Sequence, residues 1–280
     1  MRRIIPSGPP FNIKCVPYKY SINEFFCMLA DLLQLTPIQI ILCIMIIFFA
    51  YAVKGLSGFG SGLIAIPLLA FIFPLTLIVP VLGLLSYSGT LMQSFHLRKH
   101  VSWHDMLPLI PFSMLGIFIA IWLLVNLDAD ILVLALGCFV LLYAIYSLLP
   151  LPIHAGGRKW AILAGSCGGM VGALFGTGGP FYVLYLKMRQ LNKGQFRATI
   201  AMIFLFDGGA RMTAYAFNGL YTPQVLWMAA ILMPVLFLGM YAGHHLHIRI
   251  NQQRFNQVIS LLLMVGGIML IIKASTALFE

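Results

Sequence analysis

The apolar residues of this chain fall into long uninterrupted runs rather than an alternating pattern. Runs at roughly 38–53, 75–97, 106–126, 130–149, 160–175, 198–217, 223–243 and 255–273 are long enough, or almost so, to cross a bilayer. A helix needs about 20 residues at 1.5 Å each to span a hydrocarbon core of ~30 Å. Two further runs, 62–73 and 178–187, are too short. Each begins at a glycine-rich break, Lys54-GLSGFGSG-Leu63 in one case and Gly168-GMVGALFGTGGP-Phe181 in the other. Glycine weakens a helix by ~1 kcal/mol per residue relative to alanine, so each short run predicts a half-helix entered from a loop. Broken backbone at membrane depth is tolerated only where it is buried in protein or lines a cavity. Two such breaks at matching places in two halves point to a transporter's binding site.

The breaks belong to an internal repeat. Gly58-Phe-Gly60 aligns with Gly176-Thr-Gly178, each followed by a half-helix and a full span. Leu115-Gly116 matches Leu238-Gly239, and the last span of each half carries a mid-helix glycine, at Gly137 and Gly266. The pattern predicts an all-α polytopic membrane protein with two repeats of about four transmembrane helices. The expected divisions are an N-terminal extramembrane or interfacial arm at 1–37, repeat 1 at 38–149, a linker loop at 150–159 and repeat 2 at 160–280. Loop charge adds orientation, because cytoplasmic loops concentrate Lys and Arg. Arg98-Lys99 and Arg158-Lys159 follow spans two and four of the first half. In the second half the basic loops, Lys187–Arg197 and the Arg249/Arg254 stretch, follow the broken segment and span three. The halves therefore read as inverted, with the breaks as re-entrant elements; the side of the termini stays open.

Composition narrows the class further. Of 280 residues, 61% are hydrophobic and only 9% charged, where a soluble domain carries roughly 25% charge. The net charge of +10 lies in short loops between spans, which excludes a nucleic-acid-binding surface. Cys15, Cys27, Cys43, Cys138 and Cys167 form no CxxC pair, so neither a disulfide framework nor a zinc site is expected. The basic residues Arg2, Arg3, Lys14 and Lys19 have no apolar run directly behind them, unlike a signal peptide.

Candidate chemistry clusters at the breaks. The N-terminus of a helix presents unpaired N–H groups and the positive end of its dipole. Facing termini therefore make an anion site. Pro180 suits a helix start, since its missing N–H would be unpaired there anyway. The expected substrate-binding residues are Ser57, Gly58, Gly60, Ser61, Gly62, Gly176, Thr177, Gly178, Gly179 and Pro180. Gly168, Gly172 and Gly176, four apart, also suit plain helix packing. Asp207 and Arg211 share one helix face inside a span. They either neutralise each other or take part in coupling or gating. Lys54 either attracts an anion or snorkels to the interface, with snorkelling favoured. Cys167 is a packing thiol or a contact for a soft substrate. His96 is expected at the interface, and His244, His245 and His247 as a boundary cluster rather than a metal site. No cofactor or metal is expected.

These motifs resemble those of the TauE/SafE sulfite-exporter family, the TSUP permeases. The resemblance is carried by GLSGFGSGLIAIP (55–67) and GGMVGALFGTGGPFYV (168–183). It extends through HVSWHDMLPLIPFSMLG (100–116), FRATIAMIFLFDGGARMTAYAFNG (196–219) and LGMYAGHHLHIRINQQRF (238–255), covering roughly 38–273. It implies a transporter of small sulfur-containing anions (sulfite, thiosulfate, sulfonates) in the bacterial cytoplasmic membrane, working by alternating access and not an enzyme. Proton coupling through Asp207 and homo-oligomer assembly stay open. So does an anion channel, which also uses re-entrant helix ends. Gly55-Leu-Ser57-Gly58 matches the G-x-S-G of rhomboid intramembrane proteases, whose serine needs a histidine within hydrogen-bond reach. His244 and His245 stand at a span boundary in the other half, and the repeat of the glycine break is left unexplained, so this reading is disfavoured.

Overall fold

The computed structural model describes residues 37–57, 60–97, 100–149, 155–245 and 252–279. The chain divides into two compact units, Met1–Ile40 and Ile41–Glu280. Of the first, residues 37–40 are described, as helical backbone; the second holds the remaining described residues. Among the described residues every regular element is a helix. In chain order these are α1 (Pro37–Ser57), α2 (Ser61–Leu69), α3 (Leu75–Leu97), α4 (Trp103–Met106), α5 (Leu109–Asn126), α6 (Ala129–Leu148), α7 (Trp160–Phe175), α8 (Gly179–Met188), α9 (Lys193–Phe217), α10 (Pro223–His245) and α11 (Gln252–Phe279).

The interior is largely apolar, but unlike a soluble protein's so is the outer surface. Large apolar side chains face outward, among them Phe118, Trp122, Leu142 and Leu238, whereas Lys54, Thr90, Ser113, Thr177 and Asp207 are buried. An outer surface of this kind suits hydrocarbon, where polar groups must find partners inside the protein. Ile38–Leu56, Trp103–Asn126, Ala129–Leu148, Pro223–His245 and Ile259–Thr276 are long and apolar enough to cross a membrane. This is a multi-pass helical membrane protein. Of the other runs expected to span, α3 is 23 residues long, α7 is apolar but shorter at 16 residues, and α9 has the length, at 25 residues, but carries Asp207 and Arg211.

Both short runs are short helices, of 9 residues in α2 and 10 in α8. α2 and α8 begin 118 positions apart, α3 and α9 likewise, the same offset as Gly58 and Gly176. Other glycines mark helix crossings. A Cβ on Gly116 of α5 would strike the Ser166 carbonyl of α7, and one on Gly239 of α10 would stand 2.6 Å from the Phe48 carbonyl of α1. Removing the side chain lets the backbones meet, which is how helices associate without a hydrophobic driving force. α6 crosses α11 at Gly137 and Gly267; Gly266, matched to Gly137 by sequence, has open space beside it.

The C-terminal ends of the short helices are anchored by cations. Lys273 of α11 donates to the Ala70 and Phe71 carbonyls just past α2, at 3.1 and 3.3 Å. Arg189, which caps α8, pairs with Asp105 at 2.8 Å and donates to the Gly156 carbonyl. Cations there complement the exposed carbonyls of a helix end. The apolar face of α8 packs into a core with α5, α7 and α9, built on Tyr182, Leu186, Leu109, Ala164 and Ile203.

Candidate functional site

The site grows out of the two breaks. α1 ends at Ser57, and Gly60 precedes α2 with φ of +96°. α7 ends at Phe175, and Gly176 turns the chain with φ of +60°. This left-handed geometry costs a side-chain-bearing residue about 1–2 kcal/mol, so the glycines are what let each helix stop and a new one start. The breaks also touch: a Cβ on Gly62 would collide with the Gly176 carbonyl, and one on Gly178 with the Gly168 carbonyl.

Both short-helix N-termini open onto one cavity. It is lined by Lys54 of α1, Gly60–Leu63, Ser86, Tyr87 and Thr90 of α3, Gly176–Pro180, and Phe204, Asp207, Gly208 and Arg211 of α9. It offers about 50 Å³ to the centres of water molecules. One water needs ~10–15 Å³, so the space suits a few waters or one small anion. Of the residues singled out from sequence, Lys54, Gly60, Ser61, Gly62, Gly176, Thr177, Gly178, Gly179, Pro180, Asp207 and Arg211 line this cavity. Gly58 and the side chain of Ser57 lie outside the described residues. Among the described glycines with packing contacts, Gly168 meets the Tyr182 ring and Gly172 lies beside Gly178, so the second break uses its glycines both for packing and for the cavity wall.

The charged groups are held in different ways. Arg211 Nε lies 3.2 Å from Asp207 Oδ2, an ion pair without the alignment of a hydrogen bond. Asp207 Oδ1 accepts from Tyr182 Oη at 2.7 Å and from Ser113 Oγ at 3.0 Å. Arg211 Nη1 donates to the Gly172 carbonyl at 2.5 Å. The pair thus ties α9 to α5, α7 and α8. Lys54 does not snorkel. It is 4% exposed, and its Nζ donates to the Ser86 carbonyl at 2.8 Å and to Thr90 Oγ1 at 3.1 Å. The Tyr51 ring centroid lies 5.7 Å from that nitrogen. Thr177 Oγ1 is buried and has no hydrogen-bond partner.

Sequence reasoning missed Ser86, Tyr87, Thr90 and Phe204 in the wall, and Ser113 and Tyr182 as holders of Asp207. The run Ser86-Tyr-Ser-Gly-Thr90 was a usable signal, since polar residues within an apolar span line cavities or bond across helices. Cys167 does not line the cavity. His244 and His245 meet edge to face at the end of α10, and His245 Nδ1 lies 3.0 Å from the Tyr241 carbonyl. His247 and the side chain of His96 lie outside the described residues. Among the described residues, no group of three His, Cys, Asp or Glu side chains could hold a metal ion.

Outward apolar helices around a buried polar cavity at two helix breaks are the architecture a membrane transporter requires. Comparison with known proteins gives the family. The sulfite exporter TauE/SafE family model matches residues 43–270, and the chain belongs to that family. It is 21% identical over 198 residues to a probable sulfite/organosulfonate exporter TauE of Cupriavidus necator, covering 68% of this chain and 77% of that one. It is 26% identical over 192 residues to a probable inner membrane transporter protein TsaS of Comamonas testosteroni, with 61% and 73% covered. A probable membrane transporter protein of Haemophilus influenzae is 25% identical over 217 residues, with 71% and 79% covered. No solved structure matches. The family is one of exporters and not of enzymes, so the protease reading of Ser57 is set aside.

Proposed function

We propose that this protein carries a small sulfur-containing anion of the sulfite, thiosulfate or sulfonate class across the bacterial cytoplasmic membrane. The observation that carries this reading is the convergence of two short-helix N-termini on one cavity whose wall also holds Lys54, Arg211 and the unpaired Thr177 hydroxyl. Backbone N–H groups and hydroxyls bind an anion without a fixed bond of full charge, so the ligand is desolvated on entry yet released on exit. The shared offset of 118 between the short helices and between the helices after them supports two repeats. We take them as inverted and as rocking against each other in alternating access. Asp207 serves as the positioning charge that holds Arg211 and α9 in place, because Tyr182, Ser113 and Arg211 already engage its carboxylate.

The test is flux into proteoliposomes of purified protein, with labelled sulfite, thiosulfate, a sulfonate and sulfate. Saturable movement of a sulfur anion, lost in Gly178→Leu with membrane insertion intact, is the expected result. Equal flux in a well-inserted Gly178→Leu protein sinks the site, and flux rising linearly with concentration turns the carrier into a channel.

A further inference from the structure

Superposing the repeats by their offset of 118 exposes an exchange of charge between them. Lys54 on α1 has Gly172 as its counterpart on α7, and Asp207 on α9 has Gly89 as its counterpart on α3. The structure shows the two positions as mirror cases. A Cβ built on Gly89 lies 3.6 Å from Lys54 Nζ, and one built on Gly172 lies 3.5 Å from Asp207 Oδ2. In each repeat, one charged side chain occupies the space over a glycine of the neighbouring helix. The first repeat places a cation there and the second an anion.

The anion is then neutralised and the cation is not. Asp207 is paired with Arg211. Lys54 meets neutral acceptors, the Ser86 carbonyl and the Thr90 hydroxyl, which solvate an ammonium without cancelling its charge. Among the described residues no carboxylate pairs with it. An ammonium has three donors, and two are engaged by these contacts. With Lys54 protonated, the cavity wall therefore carries two cations and one carboxylate, an excess of one positive charge.

We infer that Lys54 is the charge-selecting residue of this cavity, which accepts singly charged anions and rejects doubly charged ones. The inference rests on the anion-binding reading above. One negative charge beside Lys54 brings the site to neutrality. A second remains uncompensated in a low-dielectric space, where like-charge excess is strongly disfavoured. The preferred ligands are then hydrogensulfite and monosulfonates, ahead of thiosulfate and sulfate.

Methanesulfonate and sulfate make a matched pair of probes, tetrahedral and of similar size but differing by one charge. Binding of labelled methanesulfonate to the purified protein is measured with either anion as unlabelled competitor. Sulfate at about a hundredfold excess is expected to leave methanesulfonate bound, and Lys54→Gln to weaken methanesulfonate about 30-fold or more, as for loss of one partner in a buried charge pair. Because Lys54→Gln alters contacts with α3, a second comparison leaves Lys54 in place. Gly89→Asp supplies the missing counter-charge and Gly89→Asn is its neutral isostere; both press equally on the thioether of Met240, which lies 2.8 Å from the added Cβ. Gly89→Asp is expected to bind methanesulfonate at least about tenfold more weakly than Gly89→Asn. If sulfate competes as well as methanesulfonate, or the two Gly89 variants bind alike, charge selection by Lys54 is overturned while the anion site stands. If the wild-type protein binds neither probe, the anion site itself falls, and this inference with it.

Discussion

The two glycine breaks share a backbone plan and differ in what surrounds it. Each stops a helix, turns the chain through a left-handed glycine and starts a short helix of about three turns. At the second break the neighbouring charge is locked: Asp207 accepts from Tyr182 and Ser113 and pairs with Arg211, which donates to the Gly172 carbonyl, joining four helices. At the first break the neighbouring charge, Lys54, is solvated by α3 and left without a carboxylate among the described residues. The same structural device thus serves as an anchored wall on one side and an uncompensated charge on the other. Backbone geometry is set by glycine placement at both breaks, while the side chains around them decide which charge is compensated.

The comparison breaks most completely if the backbones are forced apart. Leucine at Gly62 or Gly178 collides with the facing carbonyl of Gly176 or Gly168, and transport in proteoliposomes is expected to fall to background in both. Activity that survives at one break but not the other would show that only one lines the substrate path. Next in size is the anchored pair. Asp207→Ala leaves Arg211 buried without its carboxylate, a loss of ~3–5 kcal/mol read as a lower thermal unfolding midpoint in detergent. The double variant Asp207→Ala/Arg211→Ala should be less destabilised than the two single losses combined, and strict additivity would mean that the two residues do not act as a pair.

A smaller effect is expected from Thr177→Val, which removes the unpaired hydroxyl from the cavity wall while keeping its shape. Losing one neutral hydrogen bond to the ligand, about 0.5–1.5 kcal/mol, weakens binding roughly two- to tenfold in an equilibrium binding assay. Unchanged affinity would remove Thr177 from the set of ligand donors. Smallest of all is Cys167→Ser. This side chain lies near the second break but outside the cavity wall, so flux and inhibition by thiol reagents are expected to stay as in the wild type.

Much of this was legible in the chain. Long apolar runs determine a helical membrane protein, because no other open structure pairs its backbone polar groups in hydrocarbon. Glycine density located both breaks and most of the cavity wall, since helix interruption is a local property of the residues concerned. Side-chain partnership was not legible. Lys54, at the end of its apolar run, had the pattern of a snorkelling lysine, and only the packing of α3 against α1 supplied the carbonyl and hydroxyl that hold it inside. Asp207 and Arg211 were legible as a pair from their spacing of four. The Tyr182 and Ser113 hydroxyls that complete the anchor stand 25 and 94 positions away from Asp207. Periodicity and glycine content act over a few residues and so survive in one dimension. Which charge is compensated depends on groups brought together by helix packing, and the tertiary structure alone decides that.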